Sequence, residues 1–168
     1  MVPSNISISD FHKILQTAMG WTNSHLHQFI ADRQHYEPPT PEDEFWESFG
    51  EDYIGLTLDD FLEEENDKIT YEYDFGDGWE HTIKLEQIVS DDKNTELPKC
   101  IAGAMACPPE DCGGIGGFQE FKKIIKDPKH PNHDSYLEWI GGSYDPETFD
   151  KEQINKSLSD KNYGVIEW

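Results

Sequence analysis

The sequence predicts an α+β domain in which a mainly antiparallel sheet is built on one hairpin and helices pack on one face. Apolar and aromatic residues alternate with polar ones through residues 69–89, and a Gly-Asp-Gly triplet at residues 76–78 interrupts the alternation. Period-two alternation rich in aromatic and β-branched residues is typical of strands, and glycine supplies the positive φ of a tight turn. Segments with helical periodicity before and after the hairpin complete the prediction.

A three-residue turn predicts these opposed pairs in the hairpin: Phe75 with Trp79, Tyr73 with His81, Tyr71 with Ile83, Ile69 with Leu85, and Asp74 with Glu80. The aromatic pairs form one wall of the core. On the other face Asp74 meets Glu80, with Asp77 in the turn beside them. Directly opposed like charges cost about 0.2–1 kcal/mol on a sheet. Either a bound cation or the lysines of residues 122–126 neutralise these acids, or the turn acids accept hydrogen bonds from backbone N–H groups, which is the favoured interpretation.

Caps and periodicity predict the remaining elements. Ser7 and Gly20 have the residue types that begin and end an amphipathic helix, and Asp150 begins the last helix. Two further helices are predicted over residues 118–126 and 132–140, after a glycine-rich turn. A strand is predicted over residues 25–30, where His25 and His27 share a face. Two such histidines could share a metal, but ordinary polar residues near a strand end are the favoured interpretation.

Charge is the property by which this chain departs most from an ordinary globular domain. It has 13 Lys+Arg against 35 Asp+Glu in 168 residues, a formal net charge of −22. Residues 37–67 contain acidic residues but no Lys or Arg, and we interpret them as an acidic insert, mostly a solvated loop, within a single domain spanning residues 1–168. This charge repels phosphate and anionic lipid. We expect a protein partner with a basic surface, and neither non-specific nucleic-acid nor membrane binding.

The three cysteines predict reduced thiols rather than a disulfide framework, since their number is odd. The N-terminal segment has no secretory pattern, and no stretch approaches the length of about 18 apolar residues needed to span a bilayer. We therefore expect a cytoplasmic protein. Cys100, Cys107 and Cys112 lack the C-x2-C spacing of common zinc sites, so structural thiols are favoured over a zinc site. A zinc site would take its fourth ligand from one of three histidines: His81, His130 or His133.

Three motifs together resemble the plasmid pRiA4b ORF-3-like family: GWTNSHLHQF at residues 20–29, DFGDGWEH at residues 74–81 and CPPEDCGG at residues 107–114. The resemblance implies an α+β domain from microbial genomes, with many relatives carried on mobile genetic elements, some as passenger proteins of an insertion element. It implies no activity. It also places an edge strand and a basic Trp-Arg-Arg segment ahead of the Val-Pro at residues 2–3, and this sequence lacks both.

Two functions follow from these observations. The favoured one is a non-enzymatic acidic binding module linked to mobile genetic elements. The alternative is a divalent-metal-binding protein or a metal-dependent hydrolase. Clustered carboxylates with one imidazole suit Mg²⁺ or Mn²⁺. The candidate ligands are the acids and the histidine of the second and third motifs: Asp74, Asp77, Glu80, His81, Glu110 and Asp111.

Overall fold

A computed structural model describes residues 1–39, 50–90 and 95–165 of the chain. Five strands form one sheet in the order β3-β2-β1-β4-β5, and every neighbouring pair is antiparallel except β2 with β3. The strands are β1 (His27–Ala31), β2 (Gln34–Glu37), β3 (Glu51–Asp52), β4 (Lys68–Tyr73) and β5 (Trp79–Lys84). The helices are α1 (Ile8–Met19), α2 (Gly114–Lys126), α3 (His133–Trp139) and α4 (Lys151–Leu158). The predicted α+β class and mostly antiparallel sheet are confirmed.

Helix α1 lies against the inner face of the sheet. The Ser7 hydroxyl accepts a hydrogen bond from the Asp10 N–H, and Gly20 ends the helix in the left-handed conformation at φ 78°. Both caps are as predicted. The ring of Phe11 stacks on that of Phe29 in β1, with centroids 6.1 Å apart. Phe29 is fully buried, because alternate residues of each strand face the helix.

The hairpin of β4 and β5 has a longer turn than predicted. Tyr73 pairs with Trp79 and Glu72 with Glu80, so the predicted pairing of Asp74 with Glu80 is wrong. Asp74 adopts φ 55° and takes no part in the pairing of β4 with β5. Asp tolerates this left-handed conformation better than most residues. The whole register differs from the predicted one by two residues, so each residue of β4 has a different partner but the same side chains face inward. The aromatic wall therefore forms as predicted, except that Phe75 is 50% exposed.

Part of the acidic segment, which the sequence indicates to be mostly a solvated loop, contributes to the core. Tyr53, Leu58 and Leu62 are buried in the main hydrophobic cluster. A capping box joins Thr57 and Asp60 around a 3₁₀ turn at Leu58–Asp60. The aromatic residues of the acidic segment, at positions 45, 46 and 49, lie outside the described residues.

Helices α2 and α3 pack around a second aromatic cluster. Phe121 is fully buried, and its ring lies 5.8 Å from that of Trp139 and 5.2 Å from that of Tyr144. Two of the three lysines of α2 make contacts within their own helix: the Lys122 ammonium lies 4.4 Å from the Phe118 ring, and Lys123 pairs with Glu120 at 3.3 Å. These two lysines are therefore engaged locally.

Candidate functional site

An imidazole and two carboxylates meet at one end of the sheet. His25 Nε2 lies 3.4 Å from Asp111 Oδ1 and 3.8 Å from Asp74 Oδ2. Neither contact has hydrogen-bond geometry, and this buried Nε2 atom has no hydrogen-bond partner among the residues that the structure describes. One potential ligand atom from each residue lies within 4.8 Å of the other two. We call these three residues the His25 triad.

The spacing of the triad suits a shared cation. Two ligand atoms at about 2.1 Å from one ion are about 3.0 Å apart at a right angle and about 3.4 Å apart at the tetrahedral angle. The two distances from His25 Nε2, 3.4 and 3.8 Å, lie at and just above these values. Small side-chain rotations would therefore bring all three atoms to one ion.

Strand pairing brings His25 and Asp74 together. His27 of β1 pairs with Tyr73 of β4, and the ladder continues with a hydrogen bond of 2.9 Å from the Asp74 N–H to the Leu26 carbonyl. His25 precedes β1 and Asp74 follows β4, so antiparallel pairing places both at the same sheet end.

Asp74 uses its two oxygens differently. Oδ1 accepts hydrogen bonds from the N–H groups of Gly76, at 3.0 Å, and Asp77, at 3.2 Å. This is the backbone-capping role weighed as the alternative to a cation for the turn acids. Oδ2 is the oxygen that approaches His25. The side chain is thus held in place by the turn while one oxygen faces the triad.

Asp111 comes from the turn ahead of α2, which interlocks with the hairpin turn. The Asp77 carboxylate accepts a hydrogen bond of 3.0 Å from the Gly113 N–H. A Cβ atom on Gly114 would lie 2.4 Å from the Asp77 carbonyl oxygen. Because the two turns pack this closely, they set the position of Asp111 relative to Asp74.

Glu110 ties the same turn to the rest of the sheet. It accepts hydrogen bonds from the Tyr73 hydroxyl at 2.5 Å and from the Thr22 hydroxyl at 2.5 Å. Burial, followed by the bond to Glu110, raises the pKa of Tyr73 well above its usual value. Nearby, Trp21 Nε1 donates to the Pro108 carbonyl at 3.0 Å. Glu110 is therefore surrounded by hydrogen-bond donors and links the turn ahead of α2 to Thr22 and to Tyr73 of β4.

The structure thus separates the predicted site residues. Asp74 and Asp111 meet, whereas Asp77 and Glu110 are bound to neighbouring donors. Glu80 is exposed on the outer face opposite Glu72. His81 lies on the inner face, where burial lowers its pKa. Its Nδ1 has no hydrogen-bond partner in the described ranges of the chain.

His25 was absent from the predicted acidic cluster. The sequence associates it with His27 as two histidines on one strand, but His27 is buried against His12 and bonds to Tyr53. His25 precedes the strand and turns toward Asp74 instead. Its position just ahead of a strand that pairs with β4 is the signal that would have indicated this.

The cysteines are not among the described residues that group as potential metal ligands. All three are free thiols. Burial raises the pKa of Cys107 to about 12 and that of Cys112 to about 11, and electrostatic interactions with neighbouring groups also raise both pKa values. A thiol must lose its proton to bind metal. Among the described residues, the group of three potential ligands within 4.8 Å is the His25 triad and contains no cysteine.

The fold and site define a small α+β domain with a histidine-carboxylate cluster where the sheet meets the turn ahead of α2. A model of the plasmid pRiA4b ORF-3-like protein family matches residues 1–153, and the chain belongs to this family. The relationship inferred from the three sequence motifs is confirmed. Within the part of the chain that the structure describes, no helix is long and apolar enough to cross a bilayer.

Two relatives show how far the similarity extends. The uncharacterized protein y4hQ of Sinorhizobium fredii is 41% identical over 162 residues, which covers 95% of this chain and 81% of that protein. The crystal structure of MM3350, a protein of unknown function from Methanosarcina mazei Go1, is similar with a TM-score of 0.77 and 31% identity. That match covers 90% of this chain and 84% of the other. Neither description states an activity.

Proposed function

We propose that this protein binds a divalent transition-metal ion through His25, Asp74 and Asp111. The observation that carries the proposal is the buried His25 Nε2, which has no hydrogen-bond partner within the described part of the chain and faces one oxygen of each carboxylate. A buried polar atom left without a partner costs about 1–3 kcal/mol. A cation would satisfy this nitrogen and neutralise both carboxylates.

The imidazole narrows the choice of ion. Mg²⁺ and Ca²⁺ prefer oxygen ligands, whereas imidazole suits zinc, iron and nickel, and Mn²⁺ accepts carboxylates readily. We therefore favour Zn²⁺ or Mn²⁺ over the Mg²⁺ that the acids alone suggest. Three protein ligands leave coordination positions open, as in sites where a metal holds water or an external ligand. An open position of this kind is also what a metal-dependent hydrolase requires.

Metal binding is tested with the purified full-length chain after treatment with a chelator. Isothermal titration with Zn²⁺, Mn²⁺ and Mg²⁺ should show one site for the transition metals. Metal at 100 times its dissociation constant should stabilise the fold by about 2.7 kcal/mol. His25→Gln and Asp111→Asn should abolish both effects, and the exposed His35→Gln should change neither. Equal stabilisation of all variants, or none of the native protein, would contradict the proposal.

A second function is favoured by charge. We also propose that the protein is a non-enzymatic acidic module that binds a protein partner with a basic surface. The net charge of −22 supports this, as does the directly opposed pair of Glu72 and Glu80 on the outer face. The link to mobile genetic elements belongs to this proposal and is supported by the plasmid in the family's description.

This second function predicts binding that depends strongly on salt. An arginine-rich peptide should bind at low ionic strength and weaken as salt rises, because charges separated by more than about 10 Å are screened at 0.1 M salt. A neutral peptide of the same length is the control. Equal affinity for both peptides would exclude an electrostatic module.

A further inference from the structure

An open cavity lies between the turn ahead of α2 and helix α3. Its volume is about 290 Å³, and it is lined by Asp111, Cys112, Ser135, Tyr136 and Trp139. Asp111 belongs both to this cavity and to the His25 triad. Asp111 is therefore shared between the cavity and the candidate metal site.

The indole of Trp139 is half-exposed yet held in place. It is 47% exposed, and its ring contacts Phe121 edge to face at 5.8 Å and 80°. A second edge contact is made with Tyr136, at 6.0 Å and 70°. Phe121 is itself fully buried, so the indole rests on a rigid support. A ring held in this way loses little conformational entropy when a ligand contacts it.

The chemical groups that line the cavity favour a positively charged ligand. Among the described residues it offers two aromatic rings, the hydroxyls of Ser135 and Tyr136, one thiol and one carboxylate, and neither Lys nor Arg. A cation within about 6 Å of an indole face is attracted by the ring quadrupole, and a nearby carboxylate adds to this attraction. The net charge of −22 favours the same ligand.

We propose that this cavity receives an Arg or Lys side chain of the basic protein partner, with the cation over Trp139 and its charge balanced by Asp111. The inference rests on the second proposed function and names the place of contact. It also has a consequence for the first. Because Asp111 would serve both ligands, a metal ion in the His25 triad should weaken binding of the side chain, and the side chain should weaken metal binding to the same degree.

The test uses a short peptide of alternating glycine and arginine, with a citrulline peptide as its neutral counterpart, titrated into the metal-free full-length protein. Trp139→Leu should lower the affinity for the arginine peptide by about 3- to 30-fold, the range of cation–π contributions. Asp111→Asn should lower it to a similar extent. Asp160→Asn removes the same charge from an exposed position outside the cavity and should leave the affinity within about twofold of the native value. Saturating Zn²⁺ should weaken binding to the native protein.

Each outcome separates the two claims. If the native protein binds the arginine peptide but Trp139→Leu binds it equally well, the cavity is not the contact site and the proposal of an acidic module stands. If the native protein prefers neither peptide, the contact site and the acidic module are both contradicted. Trp139→Phe is the control for misfolding, because it keeps an aromatic face over the buried Phe121. It should retain more affinity for the arginine peptide than the leucine variant.

Discussion

The imidazole rings of His12 and His27 stack face to face, with centroids 3.4 Å apart and planes 5° from parallel. His12 Nε2 contacts Asn23 Oδ1 at 2.7 Å, and since an amide oxygen only accepts, this nitrogen donates. In the neutral ring, Nδ1 then accepts from the Tyr71 hydroxyl, 2.9 Å away. Two stacked, buried rings at this distance are stable only without charge.

The stack makes stability depend on pH. Burial lowers the pKa of His12 to about 4, and burial and then His12 lower that of His27 well below 6.5. The unfolded chain therefore takes up protons first as the pH falls. The free energy of unfolding should decrease between pH 6.5 and 4 by up to about 1.4 kcal/mol per pH unit for each ring.

Denaturant unfolding at several pH values measures this slope. His27→Gln should have a shallower slope than the native protein over this range, whatever its stability at pH 7. The exposed His35→Gln is the control and should retain the native slope. Parallel curves for His27→Gln and the native protein would show that the stack does not govern the pH dependence.

Substitutions at Asp74 separate its role in the turn from its role in the triad. Asp74→Ala removes the acceptor of two backbone N–H groups, at a position with φ 55°, and should destabilise the fold by about 1–3 kcal/mol. Asp74→Asn keeps an acceptor oxygen and tolerates this φ, so it should cost less than about 1 kcal/mol. Metal titration should nevertheless fail for the asparagine variant. Equal loss of stability in the two variants would argue against the turn role.

Two neighbouring glycines of α2 should respond in opposite ways to alanine. A Cβ atom on Gly117 would lie 1.8 Å from the Cys112 carbonyl oxygen, whereas one on Gly116 would meet nothing within 4 Å. Gly116→Ala should be neutral or stabilise the helix by about 0.5–1 kcal/mol. Gly117→Ala should destabilise the fold and displace the turn that carries Asp111. Thermal unfolding compares the variants, and similar melting temperatures would contradict the close packing.

The negative charge should exclude duplex DNA. A body of net charge −22 repels phosphate, most strongly at low salt. A gel-shift assay with random duplex at low ionic strength should show no complex at micromolar protein. A basic DNA-binding domain of similar size serves as the positive control. A shifted band for this protein would mean that a local basic surface outweighs its net charge.

Local sequence was sufficient for much of the fold. The caps at Ser7 and Asp150 were predictable because each side chain bonds to a backbone N–H three residues away. The aromatic wall of the hairpin was predictable because period two specifies the buried face whatever the length of the turn. The length of that turn was not, since it depends on the backbone conformation of Asp74 and the two hydrogen bonds to its Oδ1.

The sequence by itself determined the fold class, the caps, the buried face of the hairpin, the net charge and the family. Only the tertiary structure decided which ionisable groups meet. His25, Asp74 and Asp111 are far apart in the chain, and they converge because β1 pairs with β4 and because the hairpin turn interlocks with the turn ahead of α2. Periodicity and capping report interactions between residues a few positions apart. The position of a side chain relative to distant segments depends on packing, which no local pattern contains.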